Sequence, residues 1–499
     1  MNSNDTTLSA GGATGTLSLR SLAMQAYIWL GVPLPVFLAG WLRWYVALPL
    51  IILLLAAVGW RFRRGMRGTC FKSPHFSAVR ISPKLWWMAV VLLLFTIFCG
   101  IGGISWQLPA DNFYRNALFY DLVRRPWPVV YADGSILCYY FGYWLPAALV
   151  AKGAGGSILA GDIALALYTA WGLFIALCLI TSYTGGRPRW LILLLFLFLG
   201  GGELAMTGVK EISTLTGADP ALLIPAYDPG FYDLSNMALY MLYIFHQGVP
   251  AMVGCLLLLF ESRRPEAMLL PFSMMLMCAP IPCVALLTVL VPWLLYNRRR
   301  ALSPSNIVGI LLCVLISLFY LANNTSGAGF GPFTEASPLV WMECALIWLL
   351  FYIGIYLPFI WREVRRNWVF WTLLAASLLA PLVSIGGERD FGWRFGIPLS
   401  IYITLLAIDA ASRVTDWRRP RNILFACVLA FGSFNAVQRY YEVLRHAIVD
   451  GIRNHSPRKL TTDMTLLSDP AYNECYDNFM ASGESFFSRH LLKPQRNEK

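Results

Sequence analysis

The sequence predicts an all-α, polytopic transmembrane helix bundle, and three observations carry that prediction. The 499 residues are 58% hydrophobic and only 13% charged, with a mean hydropathy of +0.59. A soluble chain of this length carries roughly a quarter charged residues. Apolar runs of about 17–25 residues recur along almost the whole length, each long enough to cross a bilayer as a helix. Between the runs, Lys and Arg alternate between rich and poor loops, as they do in multi-pass membrane proteins.

The elements follow in order. Residues 1–22, "MNSNDTTLSAGGATGTLSLRSL", are polar and Gly/Ser/Thr-rich, which predicts a disordered start without the pattern of a secretory signal peptide. Thirteen membrane segments are expected, at about 24–42, 45–61, 85–106, 158–181, 190–207, 237–260, 267–279, 281–296, 304–322, 339–361, 368–386, 396–412 and 422–438. The pair 267–279 and 281–296 is short and is divided at "APIPC", because both flanks, "ESRRPE" and "NRRR", are basic. The membrane domain thus covers 23–438, with a first outer loop at 107–157, and a polar tail, 439–499, expected to cap the outer face. No internal repeat and no soluble domain of normal size is present.

Orientation follows from the loops. With the N-terminus inside, the inner segments hold 22 of the 39 Lys and Arg residues, the outer loops eight and the tail nine. That imbalance also accounts for most of the net charge of +12, which in a soluble protein would suggest nucleic acid; no nucleic-acid partner is expected. "ILCYYFGYWLPAALVAKGAGG" (136–156) is apolar but carries Pro146 at its centre, and a span there would reverse every later loop. It is therefore read as an interfacial or re-entrant helix on the outer side. Ten of the eleven cysteines lie in or near apolar segments and read as small buried hydrophobes, with no metal-type CxxC pair.

The chemistry concentrates where the third apolar run ends. "QLPADNFYRNALFYDLVRRPWP" (107–128) gathers Asp111, Arg115, Asn116, Asp121, Arg124 and Arg125. Tyr114, Leu118 and Leu122 repeat every four residues, Asp111/Arg115 and Asp121/Arg125 are i,i+4 pairs of favourable polarity, and Pro126 stops the helix. Such a helix is expected to lie flat with its charges towards water. Asp111 suits a helix N-cap; at a membrane–water edge facing a cleft it also suits a general base, and Asp121 is its nearest partner acid. The other outer-face groups are few: Lys210 in "TGVKEIS", Arg389 and Arg394 in "GGERDFGWRFGIP", and His246 and Gln247 in "YIFHQGVPAM". Polar groups at membrane depth are functional candidates, although a single His is often a hydrogen-bonded core residue. Tyr139, Tyr140, Tyr143 and Trp144 suit an interfacial aromatic belt or the stacking of a sugar ring. Lys152 suits snorkelling. No HExxH, His cluster, DxD, P-loop or GxGxxG pattern is present, so neither a metal nor another cofactor is expected.

A carboxylate shortly after a membrane helix, then a flat helix, then a Tyr-rich helix containing proline, resembles the first outer loop of GT-C superfamily glycosyltransferases. "GIGGISWQLPADNFYRNALFYDLVRRPWPVVYADGSILCYYFGYWLPAALVAK" (100–152) carries the resemblance, which extends over about the first half of the chain plus the late loop around Arg394. It implies an integral membrane glycosyltransferase of the bacterial inner membrane. The donor would be a polyprenyl-phosphate-linked sugar and the acceptor an extracytoplasmic envelope glycan or lipid, with the membrane lipid as solvent. Asp111 falls where the family places its base, alone or with Asp121, although many members carry paired acids where this chain has "DN". Arg389 and Arg394 fall where late-loop arginines hold the lipid phosphate, and Arg115, Asn116, Lys210, His246, Gln247, Tyr139 and Tyr140 would line the substrate site. A transporter or flippase of lipid-linked saccharides, and a polysaccharide polymerase or ligase, are the alternatives. The first would favour internal symmetry and charges at the midplane, the second a large late outer loop.

Overall fold

The computed structural model describes residues 15–65, 75–108, 111–201, 236–324, 331–332, 338–384, 390–459, 463–465 and 478–494. Helices dominate: α1 (Leu19–Gly31), α2 (Pro33–Trp41), α3 (Trp44–Gly65), α4 (Pro83–Phe98), α5 (Asp111–Arg124), α6 (Leu145–Gly153), α7 (Ile158–Tyr183), α8 (Trp190–Phe198), α9 (Met237–Tyr243) and α10 (Phe245–Glu261). They continue as α11 (Leu269–Leu276), α12 (Pro280–Tyr296), α13 (Pro304–Tyr320), α14 (Pro338–Trp348), α15 (Leu357–Val364), α16 (Trp368–Leu379), α17 (Asp390–Phe395), α18 (Ile397–Ser412), α19 (Pro420–Arg445) and α20 (Phe486–His490). Among the described residues, strands occur only as three two-residue pairs.

Among the described residues, four helical stretches are long and apolar enough to cross a membrane: Leu19–Trp41, Trp44–Arg63, Ile158–Tyr183 and Pro420–Arg453. A fifth, Cys344–Gly354 with Leu357–Val364, is broken by an 83° bend. Six more apolar helices are shorter, 10–17 residues. This points to a membrane protein. The exposed stripe Trp44, Leu48, Ile52 and Leu55 on α3 has the helical repeat of a face turned to lipid. α7 runs buried through the centre. Trp29 and Tyr168 stack there at 4.8 Å and exchange hydrogen bonds, each donating to the other's carbonyl oxygen at 2.8 and 2.7 Å. Gly172 admits the Trp29 ring, since a Cβ at that position would lie 2.3 Å from it.

Several sequence expectations change. The run 190–207 contains a helix of only nine residues, α8, before the undescribed stretch 202–235. The segment 136–156 is a two-residue strand, a single 3-10 turn and the nine-residue α6, about 14 Å of α-helix and too short to span. The pair 267–279 and 281–296 forms a hairpin whose flanks meet, with Arg300 3.1 Å from Glu266. The start is ordered earlier than expected: Thr16–Leu17 pairs with Val79–Arg80, and α1 begins at Leu19, where the Ser18 side chain caps it. The expected domain boundary at 438/439 falls inside α19, and the helix runs on to Arg453 through a π-helical turn.

The two sets of loops gather at opposite ends of the bundle. At the basic end, Arg61 and Arg264 meet Glu261, Ser77 N–H donates to Ser182 O, Arg80 N–H donates to Gly186 O, and Arg413 pairs with Glu363. At the other end the tail straps the outer loops together. Met480–Ala481 pairs antiparallel with Ile136–Leu137. Asn323 Nδ2 donates to Cys138 O and Asn478 O, Lys493 N–H donates to Trp41 O, Arg43 donates to Arg489 O, and Lys459 pairs with Asp162 at 2.6 Å.

Candidate functional site

At the strapped end, α5 follows the first outer-loop turn and opens on Asp111. Four residues on, Arg115 Nη2 lies 2.7 Å from Asp111 Oδ2. The two ends of this pair differ: the Asp111 side chain is 52% exposed and that of Arg115 only 8%. Arg115 Nη1 also donates to Leu242 O at the end of α9, at 3.4 Å, and its guanidinium lies 5.9 Å from the Phe245 ring centre. Burial lowers the Arg115 pKa, and the Asp111 carboxylate opposes that shift. The expectation that the charges of this helix turn towards water and the next loop is met by Asp111 and Arg124, which are exposed, and corrected for Arg115 and Asp121. Arg115, Asn116 and Asp121 are all buried, because α5 packs on α6 and α7 rather than lying free on the surface.

Asp121 is not a partner acid for Asp111 in this arrangement. Ten residues along a helix separate the two by about 15 Å. Asp121 instead accepts hydrogen bonds from Tyr131 OH at 2.9 Å and from the backbone N–H of Met464 at 3.2 Å, and pairs with Arg125 at 3.1 Å. Burial pushes its carboxyl up from the usual range, while Tyr131, Arg125 and the Met464 amide pull it back. It anchors the tail to the first loop. Asn116 has a similar local task, donating to Gln107 Oε1 at 2.7 Å. Lys152 donates to the carbonyls of Val123 and Arg125 and so caps α5.

The other candidates converge. Tyr139 and Tyr140 follow the strand Ile136–Leu137, their ring centres 3.8 Å apart. The Tyr140 ring lies parallel to that of His246, within 5° at 5.8 Å, and Trp144 stacks on His246 at 4.7 Å. Arg394, in the last turn of α17, donates from Nη1 to Tyr140 OH at 3.0 Å, and its guanidinium lies 5.4 Å from the Trp393 ring. Arg115 and Arg394 are the charges that act on both His246 and Tyr139. His246 and Gln247 occupy the first turn of α10, after the chain leaves α9 through a non-helical Ile244. Arg115, His246 and Gln247 are buried in this group, Tyr139, Tyr140, Trp393 and Arg394 are partly exposed beside them, and Asp111 is exposed at the start of α5.

Two aromatic readings change with this. Tyr143 and Trp144 do not form an interfacial belt: both are fully buried, and Tyr143 OH donates to Thr169 Oγ1 at 2.8 Å. Phe479 of the tail, which nothing in the local sequence marks, packs on Tyr139 at 4.4 Å and lies near Tyr114 at 6.2 Å. Arg439 belongs to α19 rather than to a separate tail, and its guanidinium lies 5.7 Å from the ring of Tyr243, the residue after Leu242. Lys210 and Arg389 lie outside the described residues, as do Glu203 and Glu388.

Chemically, this end of the apolar bundle gathers one exposed carboxylate, two guanidiniums, an imidazole, a carboxamide and stacked aromatic rings. Among the described residues, no three His, Cys, Asp or Glu side chains group closely enough to hold a metal ion. No family model, no curated protein and no solved structure matches the chain.

Proposed function

We propose that this chain is an integral membrane glycosyltransferase that moves a sugar from a polyprenyl-phosphate donor to a glycan or lipid acceptor. The fold would be GT-C-like, with about thirteen membrane segments, and the site would face the extracytoplasmic side of a bacterial inner membrane. The observation that supports this reading is the convergence, at one end of an apolar bundle, of the Asp111–Arg115 pair with Arg394, Tyr140 and His246 from distant segments. A lipid-linked donor presents its phosphate at that depth and its hydrocarbon chain to the membrane.

In this mechanism Asp111 takes the proton of the acceptor hydroxyl as its oxygen bonds to the anomeric carbon. The bond from that carbon to the phosphate oxygen breaks, and polyprenyl phosphate leaves with the electron pair. Arg394 holds the departing phosphate by charge-assisted hydrogen bonds. Arg115 orients Asp111. Exposure of Asp111 suits a base that must meet an acceptor arriving from outside, and burial of Arg115 suits a group that only positions it.

The test is turnover and donor binding by purified protein in lipid nanodiscs, with radiolabelled polyprenyl-phosphate sugars as donors. Asp111→Asn should bind donor normally and lose most transfer, because Asn keeps the side chain's size and an acceptor for Arg115 but removes the base. Arg394→Ala should lose donor affinity. Full turnover by Asp111→Asn, or unchanged donor binding by Arg394→Ala, would overturn the respective assignment.

A further inference from the structure

The connection between α12 and α13 is pinned at both ends. Asn297 ends α12, its side chain donating to Trp293 O at 2.9 Å, and the Ser303 hydroxyl caps α13 by accepting from Asn306 N–H at 3.2 Å. Between them, Arg298–Ala301 forms a single helical turn. Side chains fasten it to the turn before α11: Ser303 Oγ donates to Glu266 O at 2.7 Å, Asn306 Nδ2 donates to Pro265 O at 2.6 Å, and Arg300 pairs with Glu266. Arg300 Nη2 also donates to Arg263 O at 3.5 Å, which brings a fourth arginine alongside. The acids here are already engaged, Glu261 by Arg61 and Arg264, and Glu266 by Arg300. Arg263, Arg298 and Arg299 are exposed, and no ion pair holds them among the described residues.

Large apolar side chains accompany these cations. Tyr296 and Leu302 flank the three consecutive arginines. At 85% and 79% they are the most exposed large hydrophobic side chains among the described residues. Val284, Leu287, Val291 and Leu295 form an exposed stripe on α12 that runs up to the turn, and a second stripe begins at Ile307 on α13. α12 packs on α16, and α13 packs on α11 and α3, so each stripe is the face left to lipid. Where both stripes end, the arginines stand at headgroup level.

Basic loops at one end of a membrane protein need no ligand to explain them. Two features set this one apart from its neighbours: its arginines are fixed in place, and two large apolar side chains stand exposed among them. Water solvates the first and not the second, whereas a phospholipid meets both, with a phosphate beside its glycerol and acyl chains. We propose that the turn binds one anionic phospholipid of the surrounding leaflet. Arg298, Arg299 and Arg263 hold its phosphodiester by charge-assisted hydrogen bonds, and Tyr296, Leu302 and the two stripes lie against its apolar part. A zwitterionic phospholipid presents the same phosphate together with its own ammonium, which competes for it. The site lies at the opposite end of the bundle from Asp111 and does not depend on the glycosyl reading.

The experiment is native mass spectrometry of the full chain released from a neutral detergent, with dioleoyl phosphatidylglycerol and dioleoyl phosphatidylcholine titrated in turn. The wild type should retain one phosphatidylglycerol about tenfold or more tightly than phosphatidylcholine. Arg298→Gln combined with Arg299→Gln should weaken phosphatidylglycerol about 25-fold, roughly fivefold for each cation lost at a membrane surface, and leave phosphatidylcholine unchanged. Arg300 is kept because it ties the turn to Glu266. Leu302→Ser keeps every charge and should also weaken phosphatidylglycerol. Arg365→Gln combined with Arg366→Gln removes an exposed pair elsewhere at the same end and should leave both lipids as they were. Equal retention of the two lipids by the wild type, or undiminished phosphatidylglycerol in the Arg298/Arg299 or Leu302 variant, would overturn the proposal. An equal loss in the Arg365/Arg366 variant would also overturn it, by showing that diffuse surface charge is enough. Glycerophosphoglycerol, the same headgroup without acyl chains, is titrated in parallel; binding as tight as that of the lipid would overturn the proposal in favour of a soluble anion.

Discussion

The two ends of the bundle each bury charged and polar side chains, and the Glu261 cluster at one end differs from the His246–Gln247 pair at the other. At the basic end, Glu261 is fully buried and receives Arg61 at 2.7 Å, Arg264 at 3.0 Å and Tyr27 OH at 3.3 Å. Each Glu261 oxygen is used, and the cluster ties α1, α3 and α10 together. At the strapped end, His246 and Gln247 are buried to the same degree yet present unpaired atoms, and the carboxylate partner of Arg115 stands half in solvent. The Glu261 cluster holds its helices in register, whereas the His246–Gln247 pair leaves two buried atoms without a hydrogen-bond partner among the described residues.

Four substitutions bear on that contrast, ordered by their expected effect on stability. Glu261→Ala strands two guanidiniums and a phenol in the interior, and removing one partner of a buried pair costs about 3–5 kcal/mol. It should lower the melting temperature and the yield of monodisperse protein sharply; a melt within a degree of the wild type would remove the structural half of the comparison. Asp121→Ala removes the acceptor that Tyr131 OH and the Met464 amide share and should cost about 1–3 kcal/mol. Its signature is local, faster hydrogen exchange around residues 463–465, and unchanged exchange there would show that the tail is held by other contacts.

Phe479→Leu keeps much of the volume but removes the ring faces, a loss of about 0.5–1.5 kcal/mol. It should loosen Tyr139, with faster hydrogen exchange around residues 136–140. Unchanged exchange there would mean that the strand pairing alone holds the tail at this point. Asp111→Asn should have the smallest effect on stability, about 0–1 kcal/mol, because the carboxylate is half exposed and its ion pair is screened by water. If its melting temperature fell as far as that of Glu261→Ala, Asp111 would belong with the structural cluster.

Much of the local organisation is legible in the residues themselves. Hydropathy places the apolar helices, the spacing of Asp111/Arg115 and Asp121/Arg125 identifies the two ion pairs on α5, and Pro126 marks where that helix stops, with α5 ending at Arg124. The basic loops sort into the same two groups that the tertiary contacts bring together, because each helix carries its flanks to opposite ends of the bundle. Composition also marks 136–156 as too short to span, since a central proline and a short apolar run leave only the nine-residue α6.

Tertiary packing decided the rest. Asp111 and Asp121 look alike in sequence, both acids four residues before an arginine, yet one is exposed and the other is enclosed by Tyr131 and Met464. Arg115, His246 and Arg394 are separated by more than a hundred residues along the chain, and no helical period relates positions so distant. Phe479 reaches Tyr139 only because the tail adds a strand beside Ile136–Leu137. Periodicity, capping and ion-pair spacing act over a few residues, whereas the orphaned atoms of His246 and Gln247 are defined by every neighbour that packs around them and fails to bond. That is a property of the assembled bundle, and no single segment of the sequence contains it.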